Sequence, residues 1–324
     1  MRIGLTYDLR DDYLARGFSE EEAGEFDAPI TIDSLEAAIS GHGHEVERIG
    51  ALPALVTALA QGARWDLVFN IAEGVSGVAR ESQVPALLEG FGIPFTFSTA
   101  EVLAVAMEKS LAKLVVRQAG IATPDFAVVR SARDLQAVAL PYPLFVKPIA
   151  EGTSKGVAET SRVADRAALT RKCLEVLKDY RQPALVETYL PGREFTVGIL
   201  GSGAGARLIG VAEVTFKPGG DPSAYSFRNK MDAYDVLTLA DDPTAREAGA
   251  VALAAWRALG CRDAGRIDIR CDAEGRPAFI EANPLAGLRP GWSELPVLAE
   301  QAGMSYEALI GAILAEASAR LAPR

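Results

Sequence analysis

Gly265-Arg266-Ile267-Asp268-Ile269-Arg270-Cys271, a break at Asp272-Ala273-Glu274-Gly275, and Arg276-Pro277-Ala278-Phe279-Ile280-Glu281-Ala282-Asn283 make up the stretch that decides the fold. Its first half alternates, with Ile267, Ile269 and Cys271 on one face and Arg266, Asp268 and Arg270 on the other. Asp272–Gly275 has turn chemistry, so the two halves read as a hairpin. In the returning strand, strict alternation puts Phe279, Glu281 and Asn283 on one face, and Asp268, Glu281 and Asn283 are expected to meet across the pair. Hard oxygen donors of this kind suit Mg²⁺, which takes one or two carboxylates and fills its remaining positions with phosphate oxygens and water. An Asp–Glu pair alone is commonly just solvated. Asn283, the aligned Arg266 and the strand-ending Pro284 favour a site.

Upstream lie features that suit an anion. Pro143-Leu144-Phe145-Val146-Lys147-Pro148 is an apolar strand pattern ending in a lysine, which must snorkel or meet a negative group. Glu151-Gly152-Thr153-Ser154-Lys155-Gly156-Val157 follows, its small residues letting backbone N–H groups converge and its hydroxyls adding donors. It is no Walker A loop, for no Gly-Lys-Ser/Thr closes the required pattern. Leu185–Leu190 and Arg193–Val197 read by composition as strand, turn, strand, with Glu187 and Glu194 able to accept hydrogen bonds from an adenine amine and a ribose.

The 324 residues suffice for two or three domains, and 49% apolar with 23% charged residues is a globular composition. A net charge of −10 argues against a nucleic-acid binder. Three scattered cysteines offer neither a disulfide framework nor a zinc site and fit a reducing cytoplasm. His42 and His44 flank a turn glycine and read as solvent-facing. The N-terminus becomes charged too early for a signal peptide, and no apolar run reaches the roughly 20 residues a bilayer requires. Strand and helix patterns alternate over residues 1–100, which predicts a parallel sheet in an α/β fold. The C-terminal half reads as α+β. Residues 10–27 are polar and acidic and read as a loop or exposed helix, while 107–119 read as one helix. Residues 217–235 read as a Gly/Pro-rich loop.

Taken together these runs resemble the ATP-grasp superfamily and, within it, the D-alanine–D-alanine ligase family, over nearly the whole chain and most strongly from Met107 to Gly303. The resemblance implies three lobes: a Rossmann-like preATP-grasp domain over 1–100, a central lobe over 101–190 and a C-terminal lobe over 191–324. Met107-Glu108-Lys109 and Phe145–Pro148 correspond to the family's two ATP lysines, Lys109 and Lys147, and Glu151–Gly156 to its phosphate loop, with Thr153, Ser154, Lys155 and Gly156. Glu187, Tyr189 and Leu190 would line the adenine site and Glu194 would hold ribose. Arg266 would stabilise the transferring phosphate, with Lys230 in the lid as its catalytic partner and ATP contact. Asp268, Glu281 and Asn283 would hold two Mg²⁺ ions, with Mn²⁺ as a substitute. The partners implied are small amino-acid or peptide-like substrates, with no nucleic acid and no membrane, and the assembly implied is a homodimer.

The departures fall on the substrate side. No residue of 7–27 aligns with the family's N-terminal glutamate, Asn70–Gly74 with Arg80-Glu81-Ser82 replaces its histidine-glycine run, and Met231 stands for a lid tyrosine. Residues 283–293 keep Gly287 and Ser293 and add Arg289 and Trp292. These four are expected to touch substrate. The function expected is a carboxylate–amine ligase working through an acyl phosphate on altered amino acids. An authentic D-alanine–D-alanine ligase and a catalytically silent ATP-binding regulatory module stay open as alternatives.

Overall fold

Strand β1 (Arg2–Thr6) lies between β2 (Glu45–Gly50) and β3 (Leu67–Asn70), and all three run parallel, with Ile3 opposite Val46 and Leu67. Such a sheet must be covered on both sides. Helix α2 (Pro29–Gly41) brings Ile32, Leu35 and Ile39 to one face, and α3 (Leu52–Ala60) and α4 (Gln83–Gly90) bring Leu55, Leu59, Val84 and Leu88 to the other. The computed structural model describes residues 1–217 and 235–321. Lys230, Met231 and most of the expected lid over 217–235 lie outside the described residues.

The helix expected over 107–119 is α6 (Lys109–Gln118), starting two residues later than expected, and a separate helix, α5 (Ala100–Met107), precedes it. Glu108 between them is extended (φ −81°, ψ 93°) and its carboxylate accepts from the Leu111 amide, capping α6. The break makes Lys109 the first residue of a new helix.

Four antiparallel strands follow in the order β4-β7-β5-β6: β4 (Phe126–Val129), β5 (Leu144–Pro148), β6 (Arg162–Val163) and β7 (Ala184–Thr188), backed by α7 (Arg166–Asp179). A second antiparallel sheet has the order β10-β9-β8-β11-β12. Its strands are β8 (Glu194–Leu200), β9 (Arg207–Phe216), β10 (Asp235–Leu239), β11 (Ala264–Cys271) and β12 (Pro277–Asn283). One face packs on α5, α6 and α8 (Pro243–Leu259), whose Asp242 cap accepts from the Thr244 and Ala245 amides. Helices α9 (Glu294–Gln301) and α10 (Tyr306–Ser318) return to the N-terminal sheet, where Leu295, Leu309, Ile310 and Ile313 join Ile3, Leu5 and Phe69 in one core.

The hairpin differs from strict alternation. Asp268 pairs with Glu281 and Arg266 with Asn283, but Ile269 pairs with Phe279, leaving Ile280 as a bulge. Phe279 therefore points into the core, fully buried beside Ile267 and Ile269, on the face opposite Glu281. The extra residue restores the phase, and Asp268 and Glu281 still meet as expected. Gly265 is required by close approach: a Cβ there would lie 2.6 Å from the Asn283 carbonyl oxygen and 2.7 Å from the Trp256 ring.

The acidic stretch 10–27 is neither a free loop nor a solvated helix. Arg10–Ala15 forms α1, and Tyr13, Ala23 and Phe26 build a small buried cluster, with Tyr13 and Phe26 rings 4.2 Å apart. His42 differs from a purely solvent-facing residue: its Nε2 lies 2.8 Å from the Glu307 carbonyl oxygen.

Candidate active site

Two cavities adjoin at the β11–β12 hairpin. The first lies between the two antiparallel sheets and is lined by Lys109, Lys147, Ser154, Lys155, Glu187, Tyr189, Leu190, Glu194, Asp268 and Glu281. Its walls include residues the sequence did not single out: Phe145, stacked at 6.4 Å on Tyr189, the bulged Ile280, and Arg270. Flat apolar walls with a few convergent polar groups suit a planar base. The second cavity opens toward the N-terminal sheet and is lined by Thr153, Arg266, Asn283, Gly287, Arg289, Trp292 and Ser293. Gly156 lines neither; its place is the loop backbone.

Charge in the first cavity centres on two glutamates. Glu187 is buried, its Oε1 2.6 Å from the Lys113 ammonium and its Oε2 3.1 Å from that of Lys147. Burial pushes its pKa up, yet the two lysines outweigh burial and hold the carboxyl below its usual range. Lys113 is wholly buried, and desolvation pulls it down to about 8 despite Glu187. Glu281 is approached by Lys109 at 3.5 Å and Lys147 at 4.0 Å. Glu194 is bridged to Arg270 at 3.0 Å; burial raises its pKa against that pull, and Asp268 and Glu281 add to the rise. Lys113 sits one turn after Lys109 on α6, a spacing that places both on one helix face.

At the junction, Arg266 grips Asp268 through both oxygens, at 2.9 and 3.0 Å, and reaches Glu294 at 2.9 Å. Thr196 and Asn283 also donate to Asp268, at 2.9 and 3.0 Å. The Asn283 side-chain nitrogen is thus committed and its oxygen is the part left to accept. Among the described residues no three His, Cys, Asp or Glu side chains converge on a metal-sized point. Two facing carboxylates and an amide oxygen still fit a hard cation that completes its shell with phosphate and water.

The loop 151–156 wraps an anion already. Thr153 (φ 47°) and Ser154 (φ 56°) are successive left-handed residues, a costly conformation for side-chain-bearing residues that marks a ligand-shaped backbone. The carboxylate inside is Glu25, from the acidic segment: it accepts from the Gly152 amide at 2.8 Å and pairs with Lys155 at 3.2 Å and Arg80 at 2.7 Å. No spacing rule pointed to Glu25. It arrives by tertiary packing of a stretch that read as a solvated face. Gly287 belongs to the second cavity's rim, where Ser293 Oγ accepts from the Arg289 amide at 3.1 Å, and the Arg289 guanidinium lies 5.0 Å from the Trp292 ring centroid.

The fold defines the class. The structure superposes on a D-alanine–D-alanine ligase from Bacillus anthracis solved with ATP, with a TM-score of 0.75, 22% identity and 98% of each chain covered. A D-Ala:D-Ser ligase from Enterococcus faecalis gives 0.74 at 18% identity, covering 98% of this chain and 99% of that one. At these identities the likeness establishes an ATP-grasp fold. Sequence carries it further. A D-alanine–D-alanine ligase from Bordetella pertussis is 36% identical over 265 residues, 80% of each chain. One from Gluconobacter oxydans is 34% identical over 305 residues, 90% of this chain and 95% of its own. The family profile described as D-ala D-ala ligase C-terminus matches residues 115–315. The chain belongs to the D-alanine–D-alanine ligase family and is an ATP-dependent, ADP-forming ligase. No helix among the described residues is long and apolar enough to cross a membrane.

Proposed function

We propose that this enzyme joins the carboxylate of one amino acid or peptide-like substrate to the amine of another, with ATP bound in the first cavity and the amino acids in the second. The observation that carries the reading is the junction: Asp268 and Glu281 line the first cavity, Arg266 and Asn283 line the second, and all four belong to one hairpin. A γ-phosphate and a carboxylate brought to that point from opposite sides are in line for transfer.

In this reading Phe145, Tyr189 and Leu190 enclose the base, Glu187 accepts from the adenine amine, and Glu194 takes the ribose. Lys109, Lys147 and the loop residues Thr153, Ser154, Lys155 and Gly156 hold the phosphates. A substrate carboxylate oxygen attacks the γ-phosphorus, the bond to the β-phosphate oxygen breaks, and ADP leaves. The amine nitrogen then attacks the acyl carbon, loses a proton, and inorganic phosphate departs. Arg266 steadies the oxyanion that builds on the acyl oxygen. Asp268, Glu281 and Asn283 would hold two Mg²⁺ ions, with Mn²⁺ as substitute; when bound, the metal supplies positive charge against the phosphates. Lys230, outside the described residues, would add to that charge. Gly287, Arg289, Trp292 and Ser293 contact the amino acids, and the added Arg289 and Trp292 support substrates other than a D-alanine pair. A homodimer in the cytoplasm belongs to the same reading.

The test is phosphate release by the purified enzyme with ATP and Mg²⁺ against paired D- and L-amino acids, with mass spectrometry of products. A condensed dipeptide from a pair other than D-alanine with itself is expected. D-alanyl-D-alanine as the preferred product would instead assign the activity named for the relatives. Tight ATP binding with no amino-acid-stimulated phosphate release would leave a regulatory module.

A further inference from the structure

The second cavity is electrically two-sided. Arg266, paired with Glu294, and Arg289 stand on the wall built by β11 and the loop before α9, Lys217 lines the cavity just after β9, and Asp27, Glu73 and Glu81 stand on the wall built by the N-terminal sheet's loops. Other charges on the acidic side are already matched: Arg10 pairs with Glu20, and Arg80 and Lys155 share Glu25. Among the described residues Asp27, Glu73 and Glu81 form no ion pair and no side-chain hydrogen bond that meets ordinary geometry. Thr31, fully buried, lines the same cavity, and its hydroxyl has no hydrogen-bond partner.

An α-amino acid in the carboxylate position brings one ammonium, and the amine of the second substrate is directed at the acyl carbon, not at this wall. That cation satisfies one or two carboxylates and leaves the remainder of the wall unmatched, which in a partly desolvated pocket is unfavourable. Burial first, then repulsion from Glu81, Glu25 and Asp27 against the pull of Arg80, keeps Glu73 well above the usual carboxyl range. A point-like metal ion does not meet the shortage, because no three acidic, histidine or cysteine side chains converge closely enough among the described residues. An organic cation with two separated amines does.

We propose that the carboxylate substrate is a diamino acid, its second protonated amine seated among Asp27, Glu73 and Glu81 with Thr31 as a neutral acceptor, and its carboxylate directed at Arg266. The inference rests on the ligase reading above, since that reading puts the carboxylate substrate in this cavity.

The experiment compares 2,3-diaminopropionate, ornithine and lysine, each as both enantiomers, with the neutral isosteres 2-aminobutyrate, norleucine and 2-aminoheptanoate, in phosphate release by the full chain with ATP and Mg²⁺. Parallel calorimetric titrations use a β,γ-non-hydrolysable ATP analogue. At least one diamino acid is expected to exceed its isostere in kcat/KM by about tenfold or more, the scale of a charge-assisted hydrogen bond. In Glu73→Gln and Glu81→Gln that ratio should collapse toward one, with the thermal midpoint and ATP affinity checking that the fold is intact. Isosteres equal to or better than the diamino acids would overturn the inference while the ligase stands. If no amino acid releases phosphate, the titrations decide: a diamino acid binding where its isostere does not upholds the pocket's specificity and removes the ligase reading, and no difference overturns the inference.

Discussion

Asp268 faces Glu281 directly across the β11–β12 ladder, one step before the bulge at Ile280 that turns Phe279 into the core. The pair is held from the protein side by Arg266, Thr196 and Asn283 on Asp268 and by Lys109 and Lys147 on Glu281. Replacing Asp268 with Asn keeps the shape and removes the charge. Phosphate release is expected to fall by about a hundredfold or more, the scale for losing a positioned electrostatic group at a reacting phosphate. Near-parental turnover in Asp268→Asn would remove the hairpin from the chemistry. ATP binding measured alongside separates a lost step from a lost substrate.

Gly265 lies one residue before Arg266, wedged between the Asn283 carbonyl and the Trp256 ring. A methyl group there must push β12 or α8 aside, and overpacking of this kind costs about 1–3 kcal/mol. Gly265→Ala should therefore unfold at lower urea and also lose turnover, because β12 carries Glu281 and Asn283. Stability reduced with kcat/KM intact would show that the hairpin tolerates the shift.

Glu25 joins the acidic segment to the phosphate loop through Gly152, Lys155 and Arg80. In Glu25→Ala two buried cations lose their nearer carboxylate and keep only Glu151 at 3.9 Å, which costs up to about 3 kcal/mol. The expected phenotype is lowered stability by chemical denaturation together with weaker ATP binding, since the loop amides lose the group that shapes them. Unchanged ATP affinity would mean the left-handed turn at Thr153 and Ser154 is set by the loop alone.

The residues that line the first cavity were legible as a group because they sit at regular intervals on strands and next to glycines. Lys147 ends an apolar strand, Asp268 and Glu281 oppose each other in a hairpin, and each follows from period and turn chemistry. The bulge at Ile280 was not legible, since a single inserted residue leaves both neighbouring half-patterns intact. Nor was the break at Glu108, where good helix formers run on both sides and only the carboxylate cap on Leu111 separates α5 from α6. The largest gap is residues 10–27. Five acidic side chains from Glu20 to Asp27 read as solvated, but Tyr13, Ala23 and Phe26 bury a local cluster that carries Glu25 and Asp27 inward. Three apolar residues at irregular spacing make too weak a periodic signal to outweigh that charge.

Asp27 supplies a pH signature. Burial, with Asp8 adding repulsion, raises its pKa from 3.8 to about 7. Glu73 and Glu81 are raised as well, mainly by burial, with Arg80 opposing both, and the Tyr306 phenol on α10 faces Asp27 and stays protonated throughout. Between about pH 4 and 7 the folded protein thus binds more protons here than the unfolded chain, so the stability of the ligand-free enzyme falls as pH rises through that window. Asp27→Asn removes one such group. The variant should match the parent near pH 4 and exceed it at pH 8 by on the order of 2 kcal/mol, allowing for partial exposure and for the neighbours that titrate with it. Urea unfolding at pH 4.5, 6 and 8 measures the difference. A variant whose advantage does not grow with pH would show that Asp27 is ionised in the folded state, and that the acidic wall draws its positive charge from within the protein.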